Sequence, residues 1–159
     1  MIRNLQEPGD LGWVLKAHGE IYANEYGWDT DFEALVARIV ADYANDHDPA
    51  RENAWIAELD GERVGCVFCV DGRDGATAVL RILLVDPAAR GHGIGKQLVD
   101  TCVEFARKAG YDRMRLWTND PLIAARRIYL SRGFELTGEE PHRSFGADLV
   151  GQTYELALR

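Results

Sequence analysis

The sequence predicts a mixed α/β fold, a central and mostly antiparallel sheet of about seven strands flanked by four helices. Three observations carry this. Three β-rich runs follow one another between residues 53 and 85 with turn signals between them, which reads as an antiparallel meander. Ahead of it, apolar residues recur at helical spacing. Beyond it, strand-like and helix-like runs alternate, so helices are available to cover a sheet. With 159 residues and no internal repeat, linker or low-complexity tract, 1–159 reads as a single domain.

Ile2 to Leu5 predicts a short first strand, and Asp10 predicts the cap of a helix running to about Tyr26. Thr30-Asp31-Phe32-Glu33 has the form of a capping box at the start of a second helix. Behind it, Phe32, Leu35, Val36, Ile39, Val40 and Tyr43 recur at i, i+3, i+4, i+7, i+8 and i+11, one apolar helix face. Asn45 to Asn53 is polar, contains Pro49 and reads as a loop. In the meander, Ala54–Leu59 and Arg63–Val70 are joined by Asp60-Gly61, and Gly72 to Gly75 turns the chain into Thr77–Val85. Ile94, Leu98, Cys102, Phe105 and Ala109 mark a third helix that Gly110 stops. Arg113 to Thr118 is strand-like. Asp120-Pro121 predicts a fourth helix with Asp at the N-cap and Pro at the first helical position, ended by Gly133. Phe134–Thr137 and Thr153–Leu158 are expected as the final strands, with 139–151 as a longer connection between them.

Composition narrows the function classes. Hydrophobic residues make up 47% and charged residues 28%, the balance of a soluble globular chain. No apolar run approaches the roughly 18 residues that span a bilayer, and MIRNLQEPGD lacks a basic stretch followed by an apolar one. A cytoplasmic location and no membrane partner are therefore expected. The net charge of −8 lacks the basic footprint of nucleic-acid binding, and it is compatible with a cationic substrate drawn in by the field. Three cysteines do not suggest a disulfide framework. Cys66 and Cys69 stand three apart in a strand, so they face opposite sides and are expected to share neither a metal nor a disulfide.

Arg90-Gly91-His92-Gly93-Ile94-Gly95-Lys96 leads from the third meander strand, through Asp86-Pro87-Ala88-Ala89, into the third helix. A helix start carries unsatisfied N–H groups and roughly half a positive charge, which suits a diphosphate. Glycines let the backbone approach such a ligand without a Cβ in the way, and Arg90 and Lys96 can add charge-assisted contacts. A Walker A loop would need glycine five residues before Gly95, where Arg90 stands, and Ser or Thr after Lys96, where Gln97 stands. A dinucleotide fingerprint would need G-x-G-x-x-G rather than the G-x-G-x-G of Gly91, Gly93 and Gly95. It would also prefer an acidic residue some 20 positions on, where Arg113 and Arg115 lie.

The remaining pattern, [RQ]-x-x-G-x-[GA], resembles the acyl-CoA site of the GNAT family of N-acetyltransferases, and Val85 to Leu98 resembles that signature over its full length. Asn119, followed by Ala124 to Phe134 with Tyr129 and Gly133-Phe134, is similar to the family's N…A…YxxxGF segment. Glu25-Tyr26-Gly27-Trp28 and Pro141 to Gly146 resemble the acetyltransferase half of MarR-regulator/acetyltransferase fusions; no room remains in 159 residues for a winged-helix half.

The resemblance implies a GNAT-like acyl-CoA N-acyltransferase fold and direct transfer of an acetyl group from acetyl-CoA to a primary amine of a small molecule or peptide. It implies no metal and a homodimer by family habit. It places the pyrophosphate on Arg90, Gly91, His92, Gly93, Ile94, Gly95 and Lys96 and the pantetheine arm along Leu83, Leu84 and Val85. The strand holding Met114 to Trp117 is implied to splay away and admit the thioester. A lysine-like amine of pKa ~10.4 is about one part in 10³ neutral at pH 7, a deficit of roughly 4–5 kcal/mol, so a base or a proton-passing water is needed. The departing thiolate benefits from a proton donor, and Tyr129 holds the family's tyrosine position. Asn119 is a candidate bridge to the cofactor. Glu25, Glu58 and His142 are candidate bases, and Glu25, Trp28, Trp117, His142 and Phe145 are candidates for contact with the acceptor. The alternative from another class is a non-catalytic acyl-CoA-binding or sensing module that keeps the glycine segment and lacks the proton chemistry.

Overall fold

Asp60 and Gly61 both hold positive φ, 53° and 79°, and fold β2 (Asn53–Leu59) back onto β3 (Glu62–Asp71) as the sequence predicts. A computed structural model describes residues 1–159. Around that hairpin the elements are β1 (Ile2–Asn4), α1 (Asp10–Tyr26) and α2 (Thr30–Asp46) before it, then β4 (Thr77–Val85). A single 3₁₀ turn over Pro87–Ala89 leads to α3 (Ile94–Lys108), β5 (Arg113–Asn119), α4 (Ile123–Ser131), β6 (Glu135–Ser144) and β7 (Ala147–Ala157). One seven-stranded sheet results, in the order β1-β2-β3-β4-β5-β7-β6. Only β4 and β5 run parallel.

The sheet divides two apolar layers. Trp55, Val67, Cys69 and Leu80 point toward α3, where Leu98, Cys102 and Ala106 are fully buried. Ile56, Cys66, Phe68 and Leu84 point the other way and are covered by Val14 of α1 with Val36, Val40 and Tyr43 of α2. Period-two alternation thus puts Cys66 and Cys69 on opposite faces, and all three cysteines are free and buried.

Four local expectations need correction. The last two strands are far longer than 134–137 and 153–158, and 139–151 is not a connection. It forms most of a hairpin closed by Phe145 and Gly146, both at positive φ. Pro141 is tolerated because β6 is the sheet edge, where a missing N–H breaks no ladder. Asp29, one residue ahead of Thr30, caps α2 by accepting from the Asp31 N–H at 3.0 Å. The α4 cap position is Leu122; Asp120 instead accepts from the Val150 N–H at 2.8 Å, tying the end of β5 to β7. Asp10 begins α1 behind Gly9, and its carboxylate serves as a buried anchor for Arg3 and Arg63.

Candidate functional site

The parallel ladder between β4 and β5 lasts three residues, Thr77↔Arg113, Ala78↔Met114 and Val79↔Arg115, and then stops. From Leu116 to Asn119 β5 is paired only to β7. On β4 a bulge follows at once: Arg81 to Leu84 spans three steps opposite the two from Phe68 to Cys66, and Ile82 holds φ 44°. A β-branched residue at positive φ costs on the order of 1–3 kcal/mol, which the surrounding packing must offset. Asp86 donates from its N–H to the Val64 carbonyl at 2.7 Å, so by alternation Val85 turns its own N–H toward the gap. Two cavities open here, of about 560 and about 460 Å³, sharing Tyr22, Leu83, Leu122 and Ala125 as a common wall.

The first cavity is built on the start of α3. Leu83, Leu84 and Val85 form one side, and Arg90, Gly91, Gly93, Ile94, Gly95 and Lys96 the other. The first backbone hydrogen bond of α3 runs from the Gln97 N–H to the Gly93 carbonyl at 3.1 Å, and the six N–H groups from Gly91 to Lys96 find no acceptor within the chain. Gly93 holds φ 73°, and a Cβ on Gly91 or Gly93 would stand in open space with no atom within 4 Å. The cradle is therefore clear for a ligand, and its donors suit an anion. Arg127 of α4 lines the same cavity and was not foreseen from sequence. Arg90 meets Glu25 at 2.6 Å, so Glu25 sits at the rim. His92 is exposed and does not line the cavity.

The second cavity lies between the sheet and α2. Phe32, Leu35 and Ile39 line it, so the apolar stripe of α2 is split: Val36, Val40 and Tyr43 reach the sheet, and the neighbouring residues face the cavity. Its outer wall is aromatic. The tip of the β6–β7 hairpin docks on the α1–α2 turn through an Asp29 N–H to Phe145 carbonyl bond of 3.1 Å. This sets the Phe145 ring 5.0 Å from Trp28 and 5.1 Å from Phe32. Trp28, Trp117, Asn119, Tyr129 and Phe145 all line this cavity.

Asn119 is buried and its Oδ1 lies 2.7 Å from His142 Nε2, while His142 Nδ1 lies 2.9 Å from Ser144 Oγ. A donated Nε2–H to the Asn119 oxygen fits this geometry. The structure thus joins Asn119, His142 and Trp117, whose indole is 5.4 Å from the imidazole. Glu58 is elsewhere, paired with Arg3, and lines neither cavity.

Two phenols stand near the gap. Tyr22 directs its hydroxyl at the Leu83 carbonyl, 3.4 Å away. Tyr129 is buried beside Phe134 and Tyr154, has no hydrogen-bond partner in the chain, and is held protonated by burial, with Cys102 adding to the effect. Tyr22 and the neighbouring His18 were absent from the expected site, although Val14, His18 and Tyr22 recur every four residues and so mark one face of α1.

His18 is 1% exposed; its Nδ1 sits 2.8 Å from the Val14 carbonyl and its Nε2 has no partner. Burial lowers its pKa to about 4, against the opposing pull of the Val14 and Ile82 carbonyls. The folded state thus resists protonation that the unfolded chain accepts near pH 6.5. Stability should be unaffected above that pH and fall as pH drops toward about 4, by about 3 kcal/mol in all. Urea titrations across this window test this, with His18→Gln expected to flatten the decline.

Comparison with known proteins supplies a frame. The family model described as "Acetyltransferase (GNAT) family" matches residues 14–134. N-acetylaspartate synthetase of Rattus norvegicus is 36% identical over 105 residues, 66% of this chain and 34% of that protein. N-acetyltransferase 8B of Homo sapiens is 37% identical over 89 residues, 54% of this chain and 39% of that protein. The chain thus spans between a third and two fifths of the length of these two relatives. Among solved structures, YncA of Salmonella typhimurium with its cofactor acetyl-CoA superposes with a TM-score of 0.78 at 22% identity, covering 100% of this chain and 94% of that one. The ribosomal-protein-alanine N-acetyltransferase of Brucella melitensis gives 0.79 at 22% identity, covering 99% of each. Both likenesses are of fold.

Proposed function

This chain belongs to the acetyltransferase (GNAT) family, and on that premise we propose that residues 1–159 act as one domain transferring an acetyl group from acetyl-CoA directly to a primary amine of a small molecule or peptide. The observation that carries this is the row of six unpaired N–H groups from Gly91 to Lys96, all but that of His92 on residues lining a cavity that Lys96, Arg127 and the Glu25-paired Arg90 make basic. Such a row, at a helix start, is a diphosphate cradle.

Bound acetyl-CoA supplies an activated acyl carbon. The Gly91–Lys96 cradle holds its pyrophosphate, and Leu83 to Val85 line the path of its arm toward the gap between β4 and β5. The Val85 N–H, turned into the gap, stabilises negative charge developing on the acyl oxygen. The acceptor amine approaches through the second cavity and forms an N–C bond as the C–S bond breaks. Tyr129 gives its proton to the departing sulfur. The amine releases one proton outward through water, from which the phenol is reprotonated.

Acetyl-CoA-dependent thiol release across an amine panel, beside calorimetry of acetyl-CoA binding, tests this. Turnover on at least one primary amine is expected. Binding without turnover on any amine would favour a sensing module. Gly93→Val places a β-branched side chain at φ 73° and fills open space in the cradle, so acetyl-CoA binding should weaken at least tenfold. Wild-type affinity in that variant would sink the cradle.

A further inference from the structure

The second cavity carries positive charge and no negative charge: Arg81 and Arg115 line it, and no Asp or Glu does. In a chain of net charge −8, that cavity is opposite in sign to the molecule around it. Register explains why the two arginines share it. Val79 pairs with Arg115 across the parallel ladder, and Arg81 lies two residues beyond Val79, so both project from one sheet face. The ion pairs of the chain engage Arg3, Arg63, Arg90, Arg113, Arg132 and Arg143, and leave Arg81 and Arg115 free. Arg81 is exposed at the edge of this largely apolar cavity, where a guanidinium selects a carboxylate through charge-assisted hydrogen bonds, whereas the half-buried Arg115 turns its guanidinium toward Gly72, back toward the start of β4. A polycationic amine would meet like charge there with no counter-ion. Trp28, Phe32, Leu35 and Phe145 offer the rest of the acceptor an apolar, aromatic wall.

Building on the acetyl-transfer reading, we propose that the acceptor is an α-amino acid with a large apolar side chain. Arg81 receives its carboxylate, the aromatic wall takes its side chain, and its amine is turned toward the gap beside Tyr129. Net charge alone is compatible with a cationic substrate, whereas the lining of the cavity favours a carboxylate. Arg81 precedes the bulge at Ile82, which places the carboxylate subsite next to the stretch of β4 that faces the acyl carbon.

The test measures calorimetric binding to the CoA-loaded protein and acetyl transfer, each with phenylalanine, phenethylamine, aspartate and spermidine. Phenylalanine should exceed phenethylamine at least tenfold in both. Arg81→Gln should shrink that ratio roughly tenfold, and Arg115→Gln, whose guanidinium lies against Gly72, should leave it within about twofold, in variants whose melting curves match the wild type. Absent phenylalanine binding, equal use of phenethylamine, or preference for aspartate or spermidine overturns the proposal. Phenylalanine bound with that selectivity but never acetylated upholds the carboxylate subsite and overturns the transfer reading instead.

Discussion

Tyr129→Phe should lower kcat roughly 10²-fold while acetyl-CoA affinity stays within about twofold, the mark of a proton donor that acts in the transition state. Tyr129 is chosen over Tyr22 on geometry. The Tyr22 hydroxyl is directed at the Leu83 carbonyl, whereas the Tyr129 hydroxyl has no partner in the chain and faces the second cavity beside the gap. Burial raises both phenols well above their ordinary pKa, so each keeps its proton at neutral pH. That opposes donation to a thiolate in bulk terms, but the departing thiolate shares the dry site and is raised with it. Removing one oxygen leaves the ring packing on Phe134 and Tyr154, so stability should change little. Stopped-flow measurement of thiol release, with chemistry shown to limit the rate, decides the matter. An unchanged rate would refute the assignment.

Asp10→Ala should destabilise the fold by about 3–5 kcal/mol, the usual cost of stranding the partners of a buried carboxylate. The Asp10 side chain is fully buried and accepts from Arg3 at 2.8 and 2.9 Å, from Arg63 at 2.8 Å, and from the Gln6 and Glu7 N–H groups at 3.1 and 2.9 Å. These bonds join β1, α1 and β3. The Arg3 guanidinium is the main reason the Asp10 carboxyl lies far below the ordinary carboxylate range, against the opposing effect of its burial. A depressed folded-state pKa means the contribution is complete above the ordinary carboxylate value of ~3.9 and fades as pH falls through the lower folded value. Urea midpoints at neutral pH should show the full loss, and the difference between variant and wild type should narrow in strong acid. A loss of unfolding free energy below about 1 kcal/mol would show that Glu58, the other partner of Arg3, compensates.

The elements legible in the sequence are those fixed by near neighbours. Asp60-Gly61 dictates a turn because only certain residues accept two positive φ angles in succession, and Gly91 to Gly95 announce a ligand cradle for the same local reason. The length of β6 and β7 was hidden because most of β6 is exposed and holds Pro141, a combination that suits a loop as well as a sheet edge. Asp10 has the composition of a helix cap, and nothing local reveals that Arg63 waits 53 positions away.

The candidate site divides along the same line. The sequence by itself determined the donor half, since the run from Arg90 to Lys96 is contiguous and its chemistry is that of its own backbone. The acceptor half was decided only by tertiary structure. His18, Tyr22, Phe32, Arg81, Arg115 and Phe145 come from four elements and a hairpin tip, and no spacing links those elements. They share a cavity because β4 and β5 part after Val79 and because the Phe145 carbonyl accepts from the Asp29 N–H. A helix start carries its charge wherever the chain places it, whereas a pocket wall exists only once distant segments have met.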